Sequence, residues 1–496
     1  MEEILMSGSL ILILPELVLF GGAMALLLAG VYASAATDPH DVSRTIGLAA
    51  ISLLVAAAGL VALQRGTGNE IGAGITAFNG AFILDDFAVL IKILVFLASA
   101  LAILMSQKFM VREKIDRFEY PVLILLATCG MGVMVSANDM IAAYMGIELQ
   151  SLALYVMAAI KRGSFRATEA GLKYFVLGAL SSGLLLYGMS LIYGVSGSIG
   201  FADIAASFGT QEGALPIIQS IGIVFVIAGL AFKVAAVPFH MWTPDVYEGA
   251  PTPVTTFFAT APKLAAMALF LRVMTTAFPD AVSAWQQILI FLAIAGMGLG
   301  AFAAIGQSNI KRLMAYSSIA HIGFALVGFA SATPEGITAT IFYMMLYLVM
   351  NLGAFACILS MRRDGAMVEQ ISDLAGLSQT RPFMAGALGV LMFSLAGIPP
   401  MAGFFGKLYV FQAAIAAELY TMAIFGVLAS VVGAYYYLRI VKIIYLDEPG
   451  DEPYAPMPRE LSLIAGACAA ISLFFFIYPM PVLEAARFAS AALFAQ

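Results

Sequence analysis

Apolar residues run in long blocks from one end of the chain to the other, separated by short polar breaks. A helix that crosses a bilayer needs roughly 20 mostly apolar residues. Counting blocks of that kind predicts fourteen spans, at 10–32, 44–63, 84–106, 119–136, 139–160, 169–195, 216–238, 253–276, 283–305, 312–332, 335–361, 382–416, 419–446 and 459–478. The twelfth is too long for one straight helix and contains Gly397, Ile398, Pro399 and Pro400, so it reads as two half-helices joined by a break. The first lacks the basic leader of a signal peptide and reads as a true span. The pattern is that of an all-α polytopic membrane protein.

Composition strengthens this reading. Of 496 residues, 62% are apolar and 11% charged, and the mean hydropathy is +0.98. A soluble chain carries about 25% charged residues. The net charge of -6 and the scatter of the basic residues exclude a nucleic-acid binder. Cys129, Cys357 and Cys468 lie in apolar runs without CxxC spacing, which argues against an iron–sulfur cluster or structural zinc. Sixteen basic residues fall at one set of alternating loops and span ends, against Arg65, Arg272 and Arg487 at the other set. Basic loops stay cytoplasmic, so both termini are expected on the opposite side.

The charges inside the spans carry the functional information. Each costs roughly 2.5–3.5 kcal/mol at the middle of a span, so Lys233, Lys263, Lys407 and Glu148 together represent about 10 kcal/mol that packing alone does not favour. Lys92 and Lys173 lie nearer predicted helix ends and could snorkel to the headgroups. Tyr144, Glu148, Ser151 and Tyr155 make one polar stripe on the fifth span; Thr256, Thr260 and Lys263 repeat the spacing on the eighth. Tyr343, Tyr347 and Asn351 align on the eleventh, and Lys407 shares a face with Glu418 if the twelfth helix continues that far. Hydroxyls and amides taken singly suit interhelical hydrogen bonds. Combined with four ionisable groups, they favour a hydrated path.

Lys233 lies five residues before Pro238 and Lys407 seven after Pro400, where a broken helix frees carbonyls and half-helix dipoles. A carboxylate about 4 Å from an ammonium is worth about 4 kcal/mol at an effective dielectric of about 20, so motion of Glu148 relative to a lysine would toggle its hold on a proton. His321, following Tyr316, Ser317 and Ser318, is a candidate relay or a packed, hydrogen-bonded histidine. Tyr144, Thr260 and Glu418 are further candidate relays, His240 reads as interfacial and His40 as a loop residue.

The run from Phe239 through His240, Trp242, Pro244, Asp245, Tyr247, Glu248 and Gly249 to Pro253 resembles the loop after the seventh helix in the antiporter-like subunits of respiratory complex I. Its Tyr-Glu-Gly-Ala-Pro-Thr-Pro form is similar to the subunit N branch of that family. The resemblance extends to Leu14–Leu17, to Gln307–Arg312, and to Gly397–Pro400 followed by Gly403–Lys407. It implies two inverted five-helix repeats, with the seventh and twelfth helices discontinuous. Domains are then expected at 1–118 (helices 1–3), 119–276 (helices 4–8), 277–446 (helices 9–13) and 447–496 (helix 14 and tail). Lysine at Lys407, and a chain that runs only eighteen residues past the fourteenth predicted span, point to N over the M and L branches.

Carried over, Glu148 is the fifth-helix carboxylate, Lys233 its partner, Lys263 the central lysine and Lys407 the exit residue. Protons would enter from the cytoplasm, reside on Lys233 and Lys263, pass to Lys407 and leave on the far side. The family implies NADH oxidation and quinone reduction elsewhere in the complex, no cofactor or metal on this chain, and K-like and M-like subunits as neighbours. Rival readings are a cation/proton antiporter subunit, a haem-ligating electron carrier using His240 and His321, and a structural spacer.

Overall fold

The computed structural model describes residues 9–35, 38–65, 74–209, 215–363, 365–450 and 454–495. Among them, twelve helices are long and apolar enough to cross a membrane, and three more apolar helices of 10–17 residues are shorter. In chain order the main helices are α1 (Leu14–Ser34), α2 (Pro39–Gln64), α3 (Asp86–Arg112), α4 (Glu119–Val135), α5 (Met140–Ala158), α6 (Phe165–Ser196) and α7 (Ile217–Val234). They continue as α8 (Ala261–Arg272), α9 (Val282–Ile305), α10 (Ile310–Ala330), α11 (Pro334–Ile358), α12 (Pro382–Ala396), α13 (Ala402–Ala416), α14 (Tyr420–Leu446), α15 (Arg459–Phe474) and α16 (Met480–Phe494). Short helices at Thr243–Gly249 and Thr252–Phe258 lie between α7 and α8.

Helix starts are secured by side chains, because an unpaired backbone N–H in lipid costs several kcal/mol. Asp85 accepts from the Ala88 amide to start α3, Asp139 from Ala142 to start α5, and Ser164 from Ala167 to start α6. Asn309 accepts from both Lys311 and Arg312 at α10, and Thr333 from Gly336 at α11. Large apolar side chains such as Leu28, Leu172, Leu180, Leu428 and Val431 stand exposed on helix faces, where a bilayer solvates them.

The chain divides into two compact units. Unit one comprises Met1–Val234, Ala261–Ile288 and Arg487–Gln496. Within it α4 packs on α1 and α5, α6 packs on α7, and α8 packs against α3, α4 and α7. A hairpin of β1 (Ile75–Ala77) and β2 (Phe82–Leu84), with Ile75 opposite Leu84, precedes α3. Its turn places Phe78, Asn79 and Gly80 at positive φ, which the Asn-Gly pair tolerates. Unit two comprises Ala235–Thr260 and Leu289–Ala486. There α11 is surrounded by α10, α12, α13 and α15, and α12 packs on α14.

Several expectations change. Predicted span eight is interrupted at Ala259–Thr260, so Thr256, Thr260 and Lys263 do not share one continuous helical face. The cause is Pro262, which supplies no amide and sits at the first turn of α8. Glu418 does not extend a shared face with Lys407: α13 ends at Ala416, and Glu418 is exposed with φ 59° in the turn to α14. His40 lies in the first turn of α2, bonded through Nδ1 to Asp116 at 2.9 Å, and is not a loop residue. Span twelve is broken where expected, between α12 and α13.

Candidate functional site

In unit one, Lys233 occupies the last turn of α7 and is buried. Its Nζ donates to Ser151 Oγ on α5 at 2.8 Å and to Ser182 Oγ on α6 at 3.5 Å. Ser151 in turn donates to the Ile147 carbonyl at 2.6 Å. No ion pair within 4.0 Å joins Lys233 to Glu148. Ser151 lies one turn beyond Glu148 on α5, so a hydroxyl and not the carboxylate meets the amine. Glu148 Oε1 is buried with no hydrogen-bond partner, as is the Tyr155 hydroxyl on the same stripe. Tyr144 is partly buried one turn before Glu148. The stripe expected on α5 is therefore present, with Ser151 as the member that meets the amine.

Lys263 lies in the first turn of α8, buried, with its Nζ donating to the Val234 carbonyl at 3.5 Å. Val234 is the last residue of α7, and Ala235 follows it with φ 65°, a left-handed conformation that turns the chain out of the helix. The α7 break thus presents an acceptor to a lysine from another helix.

In unit two the same arrangement recurs with different parts. Lys407 on α13 is buried, and its Nζ donates to the Ala396 carbonyl and to Ser430 Oγ, each at 2.8 Å. The amine also lies 4.6 Å from the Phe324 ring centroid, a cation–π contact. Ala396 ends α12, and Gly397 continues with φ 85° and ψ 34°. Glycine suits the left-handed turn, and a Cβ on Gly397 would meet Lys407 Cδ at 2.8 Å and Nζ at 3.0 Å, so a larger residue would displace the end of the lysine.

His321 is buried on α10. Its Nδ1 lies 2.6 Å from Tyr343 Oη and its Nε2 3.1 Å from Tyr437 Oη. Tyr437 also meets Ser317 at 2.5 Å, and Tyr347 meets Ser318 at 2.7 Å. The eleventh-span residues Tyr343 and Tyr347 therefore do face inward together, while Asn351 donates back to the Tyr347 carbonyl. A hydroxyl–imidazole–hydroxyl chain of this kind can pass a proton by switching tautomer. Thr260 is buried, but its hydroxyl returns to the Thr256 and Phe257 carbonyls.

The motif between α7 and α8 is tied down at the start of α10. Arg312 bonds Asp245 at 2.8 Å and Glu248 at 2.9 Å, while Lys311 bonds the Ala250 carbonyl at 3.1 Å and Glu369 at 2.7 Å. The order Asp245-Val246-Tyr247-Glu248 places both acids on one side of a single helical turn.

Two buried ion pairs were not anticipated. Lys92 on α3 pairs with Glu16 on α1 at 2.7 Å, so it does not snorkel; Lys173, by contrast, is partly exposed and pairs with Glu169. Arg272, at the end of α8, forms two bonds of 2.8 Å to Asp85 and one of 3.1 Å to the Val135 carbonyl. Glu16, interrupting an apolar run, was the one visible sign of the first. The second joins residues 187 positions apart and left none.

Among the described residues no group of three or more His, Cys, Asp or Glu side chains is placed to hold a metal.

Comparison with known proteins identifies the family. Residues 137–433 match the family model described as NADH:quinone oxidoreductase/Mrp antiporter, TM. The chain is 58% identical over 483 residues to NADH-quinone oxidoreductase subunit N of Parvibaculum lavamentivorans, covering 97% of each chain. It is 54% identical to NADH-quinone oxidoreductase subunit N 1 of Rhizobium meliloti, covering 98% of each. Among solved structures, a chain of respiratory complex I from Thermus thermophilus aligns with a TM-score of 0.79 and 31% identity, over 95% of this chain and 98% of that one. A chain of the Mrp complex from Dietzia aligns with a TM-score of 0.83 and 25% identity, over 97% and 98%. Buried lysines at helix breaks, the anchored motif after α7 and relatives matched over nearly their whole length lead to one conclusion: the chain is a polytopic membrane protein of the NADH-quinone oxidoreductase subunit N family.

Proposed function

We propose that the chain provides a proton-translocation path in the membrane arm of an NADH:quinone oxidoreductase and holds no redox centre itself. NADH is oxidised and quinone reduced in other subunits, so the chain serves a translocase without carrying out its electron transfer. It resides in the bacterial inner membrane with both termini on the non-cytoplasmic side, between K-like and M-like subunits. Protons enter from the cytoplasm, occupy Lys233 and Lys263, and leave through Lys407, with Glu148 setting how firmly Lys233 holds its proton and His321 relaying.

The observation that carries this reading is the set of three buried lysine amines. Each donates to neutral acceptors: Lys233 to serine hydroxyls, Lys263 to a helix-end carbonyl, and Lys407 to one of each kind. An amine so placed can lose its proton without stranding a partner charge, which a locked ion pair cannot do. Identity of 58% to a subunit N protein favours this over a free-standing cation/proton antiporter, which would show sodium flux without NADH.

The test is Lys233→Ala in the assembled complex, in inverted membrane vesicles. NADH oxidation and assembly are expected to persist while protons moved per NADH fall. An unchanged proton yield removes Lys233 from the path.

A further inference from the structure

Four polar residues line one face of α3 at intervals of seven: Asp85 at its N-cap, then Lys92, Ser99 and Ser106, all buried. Twenty-one residues of helix rise roughly 30 Å, the thickness of the hydrocarbon core, so this seam crosses the membrane. It lies ahead of residues 137–433, the part of the chain that the family model covers.

Other helices of unit one complete it. Glu16 from α1 meets Lys92 at 2.7 Å, with the pair 2% and 1% exposed. Gly132 on α4 makes room for the carboxylate, since a Cβ there would come within 2.7 Å of Glu16 Oε1. Cys129 Sγ reaches the Glu16 carbonyl at 3.5 Å, and the Lys92 amine sits 4.5 Å from the Phe82 ring centroid. Further along, Thr128 Oγ1 donates to Ser99 Oγ at 2.9 Å. Glu16 Oε2 and, toward the far end of the helix, Gln107 Nε2 are buried without hydrogen-bond partners, with Tyr120 buried beside Ser106. Buried polar atoms of this sort are normally satisfied by water. At the other end Arg272 closes the seam, its guanidinium committed to both oxygens of Asp85.

We propose that Glu16 and Lys92 form a further proton-holding couple, reached from the Ser106–Gln107–Tyr120 end of α3 and blocked at the other by the fixed positive charge of Arg272. The step is a transfer within the pair. The Lys92 ammonium gives a proton to the Glu16 carboxylate, leaving a neutral amine and a neutral acid; the amine then takes up a proton delivered along the seam, and on discharge the Glu16 acid gives up its proton toward the same open end, restoring the ammonium–carboxylate pair. A pair kept only for packing has no need of an acid and an amine here. Apolar residues of similar volume in place of a buried ion pair are often as stable or more so.

The inference rests on the proton-translocation reading, and two variants separate them. Lys92→Arg preserves the charge pair but cannot release a proton, because guanidinium stays protonated at all working pH. Glu16→Gln/Lys92→Met removes both charges and leaves none unpaired. Each is assembled into the complex and compared with Lys233→Ala in inverted vesicles for NADH oxidation and protons moved per NADH. A lowered proton yield with NADH oxidation retained is expected for both variants. If Lys233→Ala lowers the yield while Lys92→Arg and the double variant match the parent, the couple is structural and the inference is overturned. If Lys233→Ala also leaves the yield intact, the reading beneath it falls as well.

Discussion

Gly397→Ala tests whether the position of the Lys407 amine, separate from its charge, matters. The substitution adds one methyl group and changes no titratable residue. Two costs follow from the structure. Alanine at φ 85° and ψ 34° takes on left-handed strain of about 1–2 kcal/mol. The new Cβ would also lie 2.8–3.2 Å from Lys407 Cδ, Nζ and Cε, so the lysine must move. Its stem is flexible and yields more readily than backbone. The displaced amine then gives up its bonds to the Ala396 carbonyl and Ser430, each worth about 1.5–3 kcal/mol when the donor is charged, unless it finds others. The loss of stability is then about 1–2 kcal/mol where the displaced amine regains equivalent bonds and rises to about 4–8 kcal/mol where it does not, with a large fall in proton translocation in either case. Gly386→Ala is the control. It lies on α12, with open space where its Cβ would go, and alanine there should gain about 0.5–1 kcal/mol from helix preference. The assay pairs thermal stability of the purified complex with NADH-driven acidification of inverted vesicles. Should Gly397→Ala behave as Gly386→Ala does in both measurements, the placement of Lys407 at the break has no functional weight.

Other expectations follow from the ion pairs. Arg272→Leu leaves the fully buried Asp85 carboxylate uncompensated and should cost about 3–5 kcal/mol, whereas Asp85→Asn/Arg272→Leu should cost much less, since asparagine still caps α3. Equal losses for the single and double variants in thermal unfolding would contradict the pairing argument. Arg312→Gln, by contrast, removes a partly exposed contact to Asp245 and Glu248 and should cost no more than about 1 kcal/mol, with the difference shrinking as salt is raised. A loss several times larger would mean that this anchor holds the Thr243–Gly249 helix in place almost alone.

The spans were legible because hydropathy acts locally: twenty apolar residues in a row have no other stable solvent than lipid or core. The break between α12 and α13 was legible for the same reason, since Gly397, Pro399 and Pro400 each oppose helix on their own. The break before α8 had an equally local sign in Pro262, which the unbroken hydropathy of the block masked. Asn79-Gly80 is a local sign of the β1–β2 hairpin that a count of apolar blocks passes over. The site was legible only in part. Helical spacing showed that Glu148 and Ser151 share a stripe, but not that Lys233 would bond the serine in preference to the acid, which depends on how α5, α6 and α7 pack. Lys92 was misread because distance from a helix end says nothing about what the neighbouring helix offers; Glu16 lies 76 residues earlier.

Val234 and Ala396 each terminate a helix, and at each end a lysine amine meets the terminal carbonyl. An ammonium at such an end is worth up to about 2 kcal/mol in a partly buried setting, or more than tenfold in population, and a neutral amine forfeits most of that. Emptying Lys263 or Lys407 therefore loosens the stump of helix it was bracing, and refilling it tightens the stump again. On the proton path proposed above, charge and shape are geared together at both breaks, and a proton taken up there would tighten the helix end that its lysine meets.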